Sequence, residues 1–211
     1  MIKVCKFGGT SMADGTNMRR VADIVNGDPE RRYVVVSAPG KRYGGDVKVT
    51  DLLYEVARNV QTEGAVGEAF RKIANRFRGI AEELALPLNI EGLLKQTEEE
   101  LLRERSKAFA ASRGEYLSAR IMASLLNVPF IDARDVVKFD SEGRLDGELT
   151  FSLLKDALKG KGRAVVSGFY GSDPDGKVVT FTRGRSDISG AIVARAAGAG
   201  LYENWTDVSG F

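Results

Sequence analysis

"IKVCKFGGTSMADGTNMRRVADIVNGDPERRYVVVSA", residues 2–38, holds the order of elements on which the fold turns: an apolar run, a glycine pair, an amphipathic stretch and a second apolar run. "IKVCKF" and "RYVVVSA" are short, rich in β-branched residues and bounded by turn formers, which predicts two strands. Between them Met18, Val21 and Val25 recur at helical spacing, with Gly27 where that helix would end. The same rhythm continues along the chain. "PFIDA" (129–133), "RAVVSGFYG" (163–171), "KVVTF" (177–181) and "GLYENW" (200–205) predict four more strands. Leu52, Leu53, Val56 and Val60 mark a second helix with Thr50 as its N-cap, and Leu117, Ile121 and Leu125 mark a third. Ile188 to Ala199 is rich in small residues and suits a helix packed closely on a sheet. Strands alternating with helices predict an α/β fold, an αβα sandwich on a mainly parallel central sheet.

One stretch departs from this rhythm. From about Glu63 to Lys107 the sequence is helical and heavily charged, with "TEEELLRERSK" (97–107) at its centre. The expectation is a solvated two-helix insertion, within about residues 63–110, held by i,i+4 ion pairs. A partner-binding hairpin is the sharper alternative. There is no internal repeat and no low-complexity linker to mark a domain boundary.

Composition narrows the chemistry. The chain of 211 residues is 43% hydrophobic and 28% charged, and its 31 basic and 29 acidic residues leave a net charge of +2. Such a balance gives no bulk field for nucleic acid or membrane, so neither is expected as a partner. The single cysteine, Cys5, rules out an internal disulfide and suits a reducing cytoplasm. The first residues form neither a signal nor a transit peptide, and no apolar run approaches a membrane span. Histidine is absent, which removes Ser-His-Asp and Cys-His catalysis and every zinc site with a histidine ligand.

Four stretches carry candidate chemistry. In "CKFGGTS", Gly8 and Gly9 follow a strand, so backbone N–H groups can approach a phosphate closely, and Lys6 could reach the same anion. A plain turn beside an edge-protecting lysine would look the same. Walker A and GxGxxG patterns are both missing; "APGKRYGG" has Gly-Lys but no following hydroxyl. In "SRGEYLSARIMASLL", Ser112 and Glu115 form an S-x-x-E capping box, and a carboxylate on a first helical turn could also hold a ligand ammonium. "FTRGRSDISG" sets Arg183, a bidentate clamp for a carboxylate, just before Ser186 and Asp187 at a helix start. There Asp187 suits an ammonium or the orienting of Lys6, unless it or Ser186 is a simple N-cap. Last, Ser37 and the pair Thr206 and Asp207 stand at strand ends, where crevices of open α/β sheets take their ligands.

Taken together, "KFGGTSM", "VVVSAP" followed by "VTDLL", "RGEYLSARI", "GFYGS", "RSDISGAIVA" and "ENWTDVSG" resemble, in order and rough spacing, the catalytic domain of aspartate kinases within the amino-acid kinase family. The resemblance runs from Lys3 to Phe211. It implies that Lys6, Phe7, Gly8 and Gly9 form the phosphate-cradling signature, with Lys6 and Asp187 catalytic, and that Ser37 lies at the nucleotide phosphates. It places Thr50 and Phe169 at the amino-acid substrate. Glu115 would receive the substrate's α-ammonium. Arg183 would clamp its α-carboxylate, with Ser186 and Asp187 completing that loop. Thr206 and Asp207 would begin the adenosine-binding segment.

The implied reaction needs no histidine. The β-carboxylate of L-aspartate would attack the γ-phosphoryl group of ATP, and a carboxylate with a pKa of about 4 is already ionised at neutral pH. Positioning and neutralisation of phosphate charge by Lys6, backbone N–H groups and Mg2+ would do the rest, the metal being held by ATP oxygens and water rather than by a protein ligand set. The resemblance also implies a cytoplasmic enzyme of lysine, threonine and methionine biosynthesis that is a homo-oligomer when intact. Two departures stand out. Thr182-Arg183-Gly184-Arg185-Ser186-Asp187 replaces the family's Gly-Arg-Gly-Gly-Ser-Asp. The family's kinase domain also continues beyond this length into ACT domains, so the fold is expected to be C-terminally incomplete and the 211 residues alone to turn over little. Another acyl-phosphate-forming kinase, or a non-catalytic module binding an amino acid or nucleotide, would share these features.

Overall fold

The computed structural model describes residues 1–181 and 186–205, Ser186 by its backbone alone. Among them are seven strands: β1 Lys3–Phe7, β2 Arg31–Val36, β3 Phe130–Ile131, β4 Ala164–Ser167, β5 Tyr170–Ser172, β6 Val178–Thr180 and β7 Leu201–Trp205. Five make one parallel sheet in the order β3-β4-β2-β1-β7. The helices are α1 Gly15–Asn26, α2 Val49–Glu63, α3 Gly67–Glu83, α4 Ile90–Glu104, α5 Lys107–Leu126, α6 Ala133–Val136, α7 Gly147–Leu158 and α8 Ser186–Ala196. They flank the sheet, with α1 and α5 against β2 and α8 against β1, β2 and β7. This is the expected α/β sandwich. Its parallel strands read as near-continuous apolar runs because both faces are covered: Val34, Val35 and Val36 of β2 are all buried. No helix among the described residues is long and apolar enough to cross a membrane.

Three local expectations are corrected. The run at 163–171 is two strands rather than one. After Ser167 the chain turns at Phe169, whose φ of 74° is left-handed, and β5 leaves the main sheet to pair antiparallel with β6. Thr50 is not an N-cap: α2 begins one residue earlier, and the Val49 N–H donates to the carbonyl of Pro39 at 3.1 Å. The Leu52 amide that a Thr50 hydroxyl was expected to take donates instead to the Lys48 carbonyl at 3.2 Å, inside a helix already under way. Ser112 and Glu115 form no capping box, because α5 starts upstream at Ser106, whose Oγ accepts from the Phe109 N–H at 3.3 Å. Arg105, at φ 47°, ends α4 directly before it.

The charged stretch folds as α3 and α4, but packing rather than i,i+4 pairing holds it. Phe70, Ile73, Phe77 and Ile80 of α3 and Leu93, Leu94 and Leu101 of α4 are buried in the same core as the sheet. Within these two helices the i,i+4 ion pair Lys95–Glu99 is loose, at 3.9 Å, and exposed on both sides. Ile73→Val is therefore expected to cost about 1 kcal/mol. Lys95→Ala should cost less than about 0.5 kcal/mol. Urea unfolding of both variants checks the ordering.

Candidate active site at the carboxyl ends of the strands

The loops that follow β1 and β2 meet backbone to backbone. The Gly40 N–H donates to the Gly9 carbonyl at 2.7 Å. A Cβ on Gly40 would lie 2.8 Å from the Gly9 carbonyl carbon, and one on Gly9 3.1 Å from the Ala38 oxygen. Only glycine permits that approach at Gly40. The Gly8 N–H is committed to the Trp205 carbonyl at 3.2 Å, so Gly9 is the member of the glycine pair that lines the cavity beyond. Phe7 does not contribute there. Its ring is buried and stacks on Trp205 at 5.9 Å, because strand alternation turns it into the core.

Lys6 is no edge lysine, since β1 lies between β2 and β7. Its side chain is only 7% exposed, and Nζ pairs with Asp187 Oδ1 at 2.8 Å. Asp187 sits in the first turn of α8, which brings its carboxylate to the end of β1. Ser189, two residues on, accepts the Phe169 N–H on its Oγ at 2.8 Å and fixes the left-handed turn after β4. One helical turn thus holds both the lysine of β1 and the turn that follows β4. Ser189 escaped the sequence reading although it lies within "RSDISG", since nothing in the spacing reveals a partner at Phe169.

Glu115 lies in the middle of α5 and is 5% exposed. Gly114 beside it lets the helix approach the loop after β2 so closely that a Cβ there would come 2.6 Å from that of Ala38. The carboxylate accepts the Ala38 N–H, while its Oε2 is buried without a hydrogen-bond partner. Burial pushes the Glu115 carboxyl up to about 8, against the opposing pull of the Ala38 amide, Arg113 and Lys6. A buried carboxylate oxygen left open at a cavity wall is a place for a cation to bind.

The cavity has a volume of about 690 Å3, and Gly9, Ser37, Thr50, Glu115 and Phe169 all line it. Five of the sequence-picked residues are therefore brought together. Lys41, Lys48, Asp51 and Tyr54 line it as well and were missed. The available signal was position alone: residues 39–48 directly follow a strand end, where such crevices form. Arg183, Thr206 and Asp207 lie outside the described residues, as does Arg185. Among the described residues no three acidic, cysteine or histidine side chains gather as a metal site.

Comparison with known proteins gives a consistent picture. The model of the amino acid kinase family matches residues 1–211. Aspartokinase 3 of Bacillus subtilis is 34% identical over 221 residues, covering 98% of this chain and 49% of that protein. Lysine-sensitive aspartokinase 3 of Escherichia coli is 30% identical, covering 99% of this chain and 49% of its own length. Among solved structures, the aspartate kinase of Clostridium acetobutylicum superposes with a TM-score of 0.96 at 42% identity, over 100% of this chain and 48% of that one. E. coli aspartokinase III in complex with aspartate and ADP superposes with a TM-score of 0.86 at 30% identity, over 100% of this chain and 50% of that one. The chain spans about half the length of these relatives.

Proposed function

The chain belongs to the amino acid kinase family, and from that premise we propose that it binds L-aspartate in the cavity beside Glu115 as part of an ATP-dependent aspartate kinase. The observation that carries this reading is the buried Glu115, with one carboxylate oxygen that has no hydrogen-bond partner, in the wall of a ligand-sized cavity. Its α-ammonium partner would complete the ion pair that burial now disfavours. Thr50 and Phe169 wall the same space, and Ser37 lies at the end of β2 on the side of the Gly9 loop. The relative solved with aspartate and ADP supports this choice of ligands.

In this reading aspartate is held with its β-carboxylate towards Lys6 and Gly9. The carboxylate is ionised at neutral pH, so it attacks the γ-phosphorus of ATP without a general base. The new O–P bond forms as the bond to the β–γ bridging oxygen breaks, giving 4-phospho-L-aspartate and ADP. Lys6, aimed by Asp187, neutralises phosphate charge. Mg2+ would be carried by the nucleotide's own oxygens and would supply further neutralisation of phosphate charge. Such a product is the activated acid at the entry to lysine, threonine and methionine biosynthesis.

Calorimetric titration with L-aspartate tests the reading through its pH dependence. Glu115 has to lose a proton to pair with the ammonium. With its carboxyl at about 8 in the free protein, affinity should rise about tenfold from pH 6 to 7, about fivefold from 7 to 8, and then level. About one proton should leave per ligand bound at pH 7, visible as a buffer-dependent heat. A titration with no binding at any of these pH values sinks the aspartate reading.

A further inference from the structure

We propose that Arg76 and Asp46 are positioning residues, a buried clamp that sets the two loops of the aspartate cavity against each other without touching the ligand. The inference rests on the reading of that cavity as an aspartate site, and its test below separates the two. Arg76 is carried by α3, in the charged stretch outside the sandwich rhythm, and is 8% exposed. Its Nη1 donates to the carbonyls of Ala13, at 3.3 Å, and Gly40, at 3.1 Å. Its Nη2 donates to Asp46 Oδ2 at 2.5 Å and lies 3.5 Å from the Val47 carbonyl. Ala13 belongs to the turn after β1, whereas Gly40, Asp46 and Val47 belong to the loop after β2. A single guanidinium therefore spans both loops.

Asp46 completes the clamp from the other side. It is buried, and it accepts from the Arg42 backbone N–H at 3.0 Å and from Arg42 Nε at 2.8 Å and Nη2 at 3.0 Å. These bonds fold residues 42–46 back on themselves and fasten that fold to α3. Gly40, whose carbonyl Arg76 holds, donates its own N–H to Gly9, and both glycines line the cavity, so the clamp grips the lining backbone directly. The loop it holds also presents Lys41 and Lys48 at the cavity wall. α3 is also fastened to the start of α1, the helix that follows the first loop, where Glu83 accepts the Gly15 N–H at 3.0 Å and the Thr16 hydroxyl at 2.6 Å.

Burying a guanidinium is costly, and the cost is met only where its planar fork finds several acceptors at once. Ordinary helix packing would be served as well by an apolar side chain at position 76. The geometry here is instead that of a fork distributed over two loops and one carboxylate. A shift of about 1 Å in either loop would spoil the binding geometry, since positioning errors of that size are strongly felt at active sites.

The test pairs L-aspartate calorimetry with hydrogen exchange read by mass spectrometry. Arg76→Gln is expected to weaken aspartate binding about tenfold and to speed exchange in 12–15 and 39–48, while exchange in α2, α4 and α5 stays as in the wild type. Arg76→Lys, which can reach Asp46 but lacks the fork, should recover part of the affinity. Asp46→Asn should mimic Arg76→Gln, and the double variant should be no weaker than the stronger single one, as for a coupled pair. Unchanged affinity in Arg76→Gln, or acceleration spread evenly over the chain, would overturn the proposal. Should the wild type bind no aspartate, the functional reading falls and the exchange decides the clamp: loops loosened in Arg76→Gln uphold it, loops unmoved refute it. Should Arg76→Gln not fold, Asp46→Asn carries the same two readouts.

Discussion

Replacing Glu115 with glutamine should abolish measurable aspartate binding and at the same time make the folded chain more stable in alkaline buffer. The amide keeps the size of the side chain and an oxygen for the Ala38 N–H, but it has no charge for the ligand's ammonium. Breaking a buried charge pair costs about 3–5 kcal/mol, so affinity should fall a hundredfold or more, to roughly 1% or less of the wild type. Stability moves the other way. The Glu115 carboxyl is raised from 4.5 to about 8 in the folded chain. Its stabilising contribution is fully present below about 4.5, where both states hold the proton, and is lost as pH rises through about 8. Above pH 8 the wild type carries a buried charge that the variant lacks, and the variant should be ahead by a few kcal/mol. Melting curves of both proteins from pH 5 to pH 9 should diverge with pH and then run parallel. Parallel curves throughout would show that Glu115 is ionised at no cost, removing the reason to expect a cation there.

The second large effect is expected at Lys6. Lys6→Met keeps the buried stem of the side chain and removes the ammonium that Asp187 holds at 2.8 Å. Asp187 is 54% exposed at its side chain, so water can solvate it once its partner is gone and folding should survive. What disappears is a fixed charge placed at the end of β1 beside the Gly9 loop. Removing one preorganised electrostatic contact of this kind costs about 10²–10³ in turnover. Since the 211 residues alone are expected to turn over little, the substitution is made in an enzyme of the relatives' full length, where acyl phosphate trapped with hydroxylamine reports the rate. The expected pattern is a kcat lowered by that factor with KM for aspartate changed by less than about threefold, since in the proposed reaction Lys6 would act on phosphate charge that develops during transfer. A loss confined to KM would reassign Lys6 to ground-state binding.

Several parts of the site were legible in the sequence because their signals are local. The Gly-Gly pair after an apolar run marks a strand end with exposed backbone, and Gly9 does line the cavity. The small-residue run from Ile188 marks a helix lying close on a sheet, and Asp187 at its start does meet Lys6. Where the local signal was ambiguous, the reading failed for identifiable reasons. "SRGE" satisfies the capping-box pattern, yet Ser106 six residues upstream starts the helix, and Glu115 becomes a buried mid-helix acid. Phe7 shares a motif with Lys6 but lies on the opposite face of β1, and strand alternation sends it to the core. "TEEELLRERSK" looks solvated because its charges are contiguous in sequence. On a helix they occupy one face, and Leu94 and Leu101 occupy another.

The sequence by itself determined the alternation of strands and helices, the α/β class, and the residue types able to handle phosphate, carboxylate and ammonium groups. Those properties follow from side-chain chemistry and from periods of two and 3.6 residues, which a chain carries wherever it folds. Only the tertiary structure decided which of these groups share a cavity, that Glu115 is buried with an oxygen open, and that Arg76 of a remote helix ties two loops together. Each of those depends on distances between segments far apart in sequence, from the 30 residues between Asp46 and Arg76 to the 160 between Gly9 and Phe169, and burial, close backbone approach and a shifted carboxyl exist only once the segments are in contact.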